Sequence, residues 1–175
     1  MADSKKKSSR IKIRPFRQSA GMCGAASLKM VLDYYGVLVP EREIAKIANA
    51  TKEKGTSPAG LVKAAEHFGF KAMVKENCSL DDLRRYVDKK IPVIVNWFEN
   101  HDGGHYSVVV DINKKNIVLA DPLMRRPLLY SNTRKMPCKR FMEIWFDYIG
   151  DYPKTKEDMV LRLIVVVTLK EEALF

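Results

Sequence analysis

Cysteine is scarce in this 175-residue chain, and its three copies, Cys23, Cys78 and Cys138, are widely spaced. An odd count without a Cys-x-x-Cys pair argues against a disulfide framework and against a structural zinc site. No apolar run reaches the length of a membrane span. The N-terminus, MADSKKKSSRIKIR, is basic but has no apolar segment of the kind that makes a signal peptide. No repeat at a fixed period appears, and no low-complexity block beyond the N-terminus. These absences point to the cytoplasm as the expected compartment.

What is present suits one domain with a full core: 46% hydrophobic and 30% charged residues. The net charge of +10 raises nucleic acid or anionic surfaces as partners. Its distribution argues otherwise. Residues 1–17 hold seven Lys/Arg and one Asp, so the rest of the chain carries only +4. The expectation is a flexible basic tail over residues 1–10 and a single domain over 11–175. No helix-turn-helix or aromatic-basic pattern supports nucleic-acid binding.

Periodicity gives helices first. CGAASLKMVLDYYG carries an apolar stripe through Ala26, Met30 and Tyr34 and stops at Gly36. PEREIAKIANAT has Pro40 early and acids in its first turn. TSPAGLVKAAEHFG has a Ser57 cap, Pro58 at the first helical position and Gly69 as a stop. After a short strand, FKAMVKE, the segment SLDDLRRYVDKK starts with a capping-box pattern, Ser79-x-x-Asp82. Then β-branched and aromatic residues take over in IPVIVNWFE, HYSVVVDIN, NIVLADPL and LRLIVVVTL, with NKKN as a hairpin turn and a last helix, CKRFMEIWFDYI, between them. A helical first half and a mainly antiparallel second half make an α+β chain.

The chemistry gathers around Cys23. A helix N-terminus favours a thiolate, because free backbone N–H groups and the helix dipole stabilise negative charge. Gly24 lets another chain approach the backbone closely, and Ala25 and Ala26 keep the first turn open. Taken alone, Cys23 reads equally well as a small buried apolar residue. His105 is expected at a strand start after a Gly-Gly turn, and Asp121 at the end of the next strand, before Pro122. Pairing through NKKN sets His105 opposite about position 124, with Asp121 two or three positions away and within diagonal reach. Asp121 would then hold the imidazole and favour its charged form, as in a nucleophile–base–acid triad. Gln18, in the loop before the Cys23 helix, can supply a side-chain amide to a developing oxyanion, beside the backbone N–H of Cys23. Other readings are weaker. His101 and His105 have a zinc-ligand spacing, but Gly103 and Gly104 disfavour a helix there and no third ligand is apparent. GTSPAG lacks the spacing of a serine nucleophile elbow. Cys78 and Cys138 precede helices without an accompanying Gln and read as structural. No cofactor is expected.

Taken in order, Q-x4-CGAASLKMVLDYYG, GTSPAGL, IPVIVNW, GGHYSVVVDI, IVLADP and FMEIW resemble the papain-like bacteriocin-processing cysteine peptidases, over roughly residues 14–168. That family is best known as the N-terminal domain of peptide-exporting transporters and cleaves leader peptides after a double glycine. The resemblance implies a papain-like fold in which a helical subdomain, headed by the nucleophile's helix, packs on a sheet bearing the base. It implies Cys23 as nucleophile, His105 as general base and acid, Asp121 as orienter and Gln18 as oxyanion-hole donor. Met22 stands where the family usually has an acidic or polar residue, and the Gln18–Cys23 gap is short. No membrane or ATPase segment follows, so the expectation is a free-standing domain acting on a peptide or protein, with a separate transporter as candidate partner. An acyltransferase or amidase on the same scaffold, and a non-catalytic leader-binding module, are the alternatives. The joint presence of Cys, His and Asp argues against the last.

Overall fold

The structure is a computed structural model that describes residues 10–99, 103–123, 133–150 and 152–171. Most of the basic tail, His101 and the segment 124–132 lie outside the described residues. Helix α1 spans Cys23–Tyr34, α2 Glu41–Ile47 and α3 Pro58–His67; strand β1 spans Lys71–Lys75 and helix α4 Leu80–Asp88. Strands β2 (Val93–Glu99), β3 (Gly103–Ile112), β4 (Asn116–Ala120) and β5 (Thr133–Pro137) follow, then α5 (Cys138–Ile144), β6 (Phe146–Tyr148), β7 (Met159–Leu161) and β8 (Ile164–Thr168).

The helices start where the sequence says they should. Ser57 accepts a hydrogen bond from the Gly60 N–H, with Pro58 in the first turn, and Ser79 and Asp82 form a reciprocal capping box. Each such cap satisfies backbone donors that a helix end would leave open. Among the described residues one six-stranded antiparallel sheet has the order β1-β8-β2-β3-β4-β5, and β6 and β7 form a separate pair. A single apolar cluster runs from Ile11 to Val167, with α1 packed against β3. No helix among the described residues is long and apolar enough to cross a membrane.

Four details depart from the sequence reading. Gly103 and Gly104 are not a turn; they pair with Glu99 and Phe98, so His105 is the third residue of its strand. The last helix stops at Ile144 because Trp145 leaves helical geometry: its indole N–H donates to the Leu163 carbonyl, and its own carbonyl accepts the Arg162 N–H. Phe146 then enters β6 and stacks on Phe98. The run LRLIVVVTL is broken at Arg162, whose φ of 49° separates β7 from β8.

The fourth detail concerns register. Asn113 closes the NKKN turn, its N–H donating to Asn116 and its side-chain oxygen accepting from Lys115 and Asn116. Ile112 faces Ile117 and Asp111 faces Val118, but Val109 then faces Leu119, which leaves Val110 as a bulge. The bulge changes the pairing by one residue. Continued past Ala120, it sets Asp121 beside Ser107, two positions from His105 and on the same face. Without it the offset would be three, and the two side chains would point to opposite faces. The bulged Val110 carbonyl accepts the Ile11 N–H at 2.7 Å.

Candidate active site

Cys23 is the first residue of α1, and the turn that delivers it is held on three sides. Glu41, nearly buried, accepts hydrogen bonds from both the Ser19 N–H and the Ser19 hydroxyl. The Gln18 N–H donates to the Pro122 carbonyl at 3.1 Å, tying the loop to the residue after Asp121. Gly21 has φ of 75°, and a Cβ there would come within 2.5 Å of the Lys52 carbonyl oxygen. Only glycine suits both demands. The close approach at Gly24 comes from within the chain: a Cβ there would lie 2.8 Å from the Thr56 Cβ.

His105 is 2% exposed and Asp121 5%. His105 Nε2 lies 2.7 Å from Asp121 Oδ1, which also accepts the Leu123 N–H at 3.0 Å. The second side-chain partner of the imidazole is the Cys23 thiol. Since Nε2 is engaged by Asp121, Nδ1 is the ring nitrogen that remains for sulfur. The three residues expected to converge therefore do so, from α1, β3 and the residue after β4.

Charge follows geometry. Burial disfavours a charged imidazole, but hydrogen bonds to Asp121 and Cys23 and their negative charge outweigh it and push His105 up to about 9. Burial likewise raises Asp121, yet the His105 bond and charge, the Leu123 N–H and nearby Arg134 hold it below the usual carboxylate range. Cys78 and Cys138 are buried, and burial pushes Cys78 up to about 11 and raises Cys138 as well. Neither thiol lines the cleft.

That cleft, of about 640 Å³, has Gln18, Gly21 and Cys23 on one wall with the loop Lys52–Gly55, and Gly104, His105 and Asp147 on the other. Gln18 is thus beside Cys23 as expected, with its Oε1 buried and without a hydrogen-bond partner among the described residues. Sequence reasoning missed several neighbours. The Trp97 ring meets His105 edge to face at 5.3 Å and donates its indole N–H to Ser107. Arg134 sets Nε 3.0 Å from Asp121 Oδ2, a charge contact whose alignment falls short of a hydrogen bond. Asp147 accepts from Asn96 Nδ2 and fills the space that a Gly104 side chain would need. Antiparallel pairing of IPVIVNWFE with the His105 strand sets Trp97 opposite His105; no spacing signal marks Arg134 or Asp147. No group of three His, Cys, Asp or Glu able to hold a metal is gathered among the described residues.

Known proteins share this arrangement of elements. A double-glycine motif protease from a transporter, solved with its leader peptide, superposes with a TM-score of 0.65 at 22% identity, over 94% of this chain and 96% of that one. The peptidase domain of Streptococcus ComA superposes with a TM-score of 0.67 at 23% identity, over 91% and 98%. In sequence, the transport/processing ATP-binding protein ComA of Streptococcus pneumoniae is 38% identical over 127 residues, which is 70% of this chain but 16% of that protein. The pediocin PA-1 transport/processing protein PedD of Pediococcus acidilactici is 36% identical over 103 residues, 57% of this chain and 13% of that protein. The chain thus spans about a sixth or less of these transporters. An uncharacterized protein of Methanothermobacter marburgensis, 39% identical over 111 residues, is matched over 72% of its length and 63% of this chain. Residues 15–150 match the model of the Peptidase C39 family, and the chain belongs to that family of cysteine peptidases.

Proposed function

We propose that the chain hydrolyses a peptide bond through Cys23, His105 and Asp121 and a thioester intermediate. The observation that carries this is a buried imidazole with a thiol on one side and a carboxylate at 2.7 Å on the other. With the proton on His105, the sulfur of Cys23 attacks the scissile carbonyl carbon. The carbonyl oxygen becomes an oxyanion, met by the Cys23 N–H and the Gln18 side-chain amide. His105 gives its proton to the departing amine as the C–N bond breaks. In the second half, His105 takes a proton from water, the hydroxide attacks the thioester, and the acid leaves with Cys23 restored.

The substrate we assign is a peptide with small residues at the cut, a double-glycine leader being the model. Glycines line both sides of the cleft, Gly21 and Gly55 on one and Gly103 and Gly104 on the other, and the Asp147 carboxylate takes the space a Gly104 side chain would need, which supports a substrate with small residues there. The named relatives that process leaders add to this reading, and a separate exporter is the proposed partner. Three unpaired cysteines favour the cytoplasm as the compartment. Residues 11–175 are read as one domain, supported by the apolar cluster that starts at Ile11.

Brief, limiting iodoacetamide treatment should mark Cys23 ahead of Cys78 and Cys138 by peptide mass spectrometry. A mixed peptide library should then be cut by the wild type and not by Cys23→Ala. Product masses one water heavier at the cut report hydrolysis; an added amine would report acyl transfer. Labelling that favours Cys78 or Cys138 would overturn the assignment.

A further inference from the structure

Asp121 has two oxygens with different work. Oδ1 takes both His105 Nε2 and the Leu123 N–H. Oδ2, buried, faces Arg134 Nε at 3.0 Å. Arg134 comes from β5, opposite Leu119, and its guanidinium lies over the Trp97 ring at 5.1 Å. The same tryptophan touches the His105 ring edge to face and is fixed by its bond to Ser107. On its outer side Arg134 has Glu99 as counter-ion, with Nη1 to Oε1 at 3.7 Å. Glu99, Arg134, Asp121, His105 and Cys23 therefore form a row of alternating charge when the proton is on the imidazole.

We propose that Arg134 is a positioning residue for His105: it holds the outer oxygen of Asp121 so that the inner one faces the imidazole, and with Glu99 it sets how firmly His105 keeps its proton. The inference rests on the Cys23–His105–Asp121 reading. Two physical effects act together. A carboxylate can turn about its Cβ–Cγ bond, and a cation at Oδ2 fixes that turn. The same cation draws on the Asp121 charge, so the imidazolium is held less tightly and remains acidic enough to release its proton to a leaving amine. Glu99 opposes Arg134 and moderates the effect. The other charged or titratable groups near the imidazole are Cys23 from α1, Asp147 from β6 beside Gly104, and the neighbouring Tyr106 on β3. None of these is altered in the Arg134 and Glu99 variants below.

The chain has three histidines, so 15N-histidine labelling of the full-length protein gives a short list of signals, and loss on His105→Ala assigns the one that matters. Its titration is followed by NMR in wild type, Arg134→Met, Arg134→Lys and Glu99→Gln. Arg134→Met should raise the His105 midpoint by about one pH unit, and Glu99→Gln should lower it by a smaller amount. Arg134→Lys keeps a cation there and should return the midpoint most of the way to wild type. Opposite shifts from two single charge removals are not produced by general loosening. Midpoints that stay put, or move the same way in Arg134→Met and Glu99→Gln, overturn the proposal. If Arg134→Met does not fold, the Glu99→Gln and Arg134→Lys shifts decide it. The same titration on Cys23→Ser separates the two readings. A His105 midpoint indifferent to the thiol would remove the triad and leave the Arg134 effect measurable.

Discussion

Replacing Asp121 by Asn changes one charge and almost no volume, and the structure says how the amide must sit. The oxygen at the Oδ1 site serves both His105 and the Leu123 N–H, so the Asn carbonyl belongs there. The amide nitrogen then occupies the Oδ2 site, where it faces Arg134 Nε, donor against donor, at 3.0 Å. Turning the amide over relieves that clash but sets its N–H groups against those of His105 and Leu123. Either way the imidazolium loses its counter-charge. With charge centres roughly 4 Å apart and an effective dielectric of about 20, the lost attraction is ~4 kcal/mol, or ~3 pH units on His105. A surviving hydrogen bond offsets part of this, so we expect a fall of about 2 units from the wild-type value of about 9. The proton on His105 is what favours a charged sulfur, so Cys23 alkylation should drop by up to ~100-fold near neutral pH and recover at higher pH. His105→Ala should go further. Because Arg134 opposes the amide, adding Arg134→Met should restore part of what Asp121→Asn loses. The assay is the rate of iodoacetamide capture at Cys23 against pH, read by mass spectrometry, with circular dichroism to show that each variant is folded. Superimposable curves for wild type, Asp121→Asn and His105→Ala would refute the triad.

Two further outcomes are expected. His105 holds its proton in the folded state to about 9, above its ordinary 6.5, so its contribution to stability is complete below pH 6.5 and is lost as pH rises through 9. The loss is up to about 3 kcal/mol; urea midpoints at pH 6 and 9.5, with His105→Gln subtracting other groups, measure it, and equal pH dependence in the two proteins would contradict it. Deleting residues 1–9 should leave peptide hydrolysis intact, whereas Ile11→Pro removes the N–H that the Val110 carbonyl accepts and should cost stability by about 1–3 kcal/mol along with activity; a silent Ile11→Pro would mean that the bulge supports itself.

Much of the frame is legible because it depends on local signals. Ser57-Pro58, the Ser79–Asp82 box and the NKKN turn each satisfy or forbid particular backbone hydrogen bonds, and each appears where expected. Cys23 at a helix start is local in the same sense. The meeting of His105 with Asp121 is half legible. The turn brings them near, but in an apolar run such as VVV nothing tells which valine is the extra one, and that single residue decides the face. The polar segment TRKMP becomes β5 because the edge of β4 offers it partners, not through any propensity of its own. CKRFMEIWFDYI reads as helical throughout; its second half is claimed instead by Phe98 and the Leu163 carbonyl, which lie far away in sequence. Arg134 and Asp147 reach the site by such long-range pairings, and no spacing rule connects them to it.

The His105–Asp121 bond spans 16 residues within one hairpin, while the Cys23 contact joins α1 to that hairpin across a stretch about five times longer. Closing the longer loop costs about 1.5 kcal/mol more in chain entropy, and it also requires the helices to be seated on the strands. The imidazole and carboxylate can therefore find each other as soon as the hairpin zips, whereas the sulfur arrives only once α1 is seated on that hairpin. During synthesis or refolding the proposed triad is thus incomplete until α1 docks on the hairpin. If Cys23, His105 and Asp121 act as proposed, cutting of neighbours or of the chain itself waits for that docking.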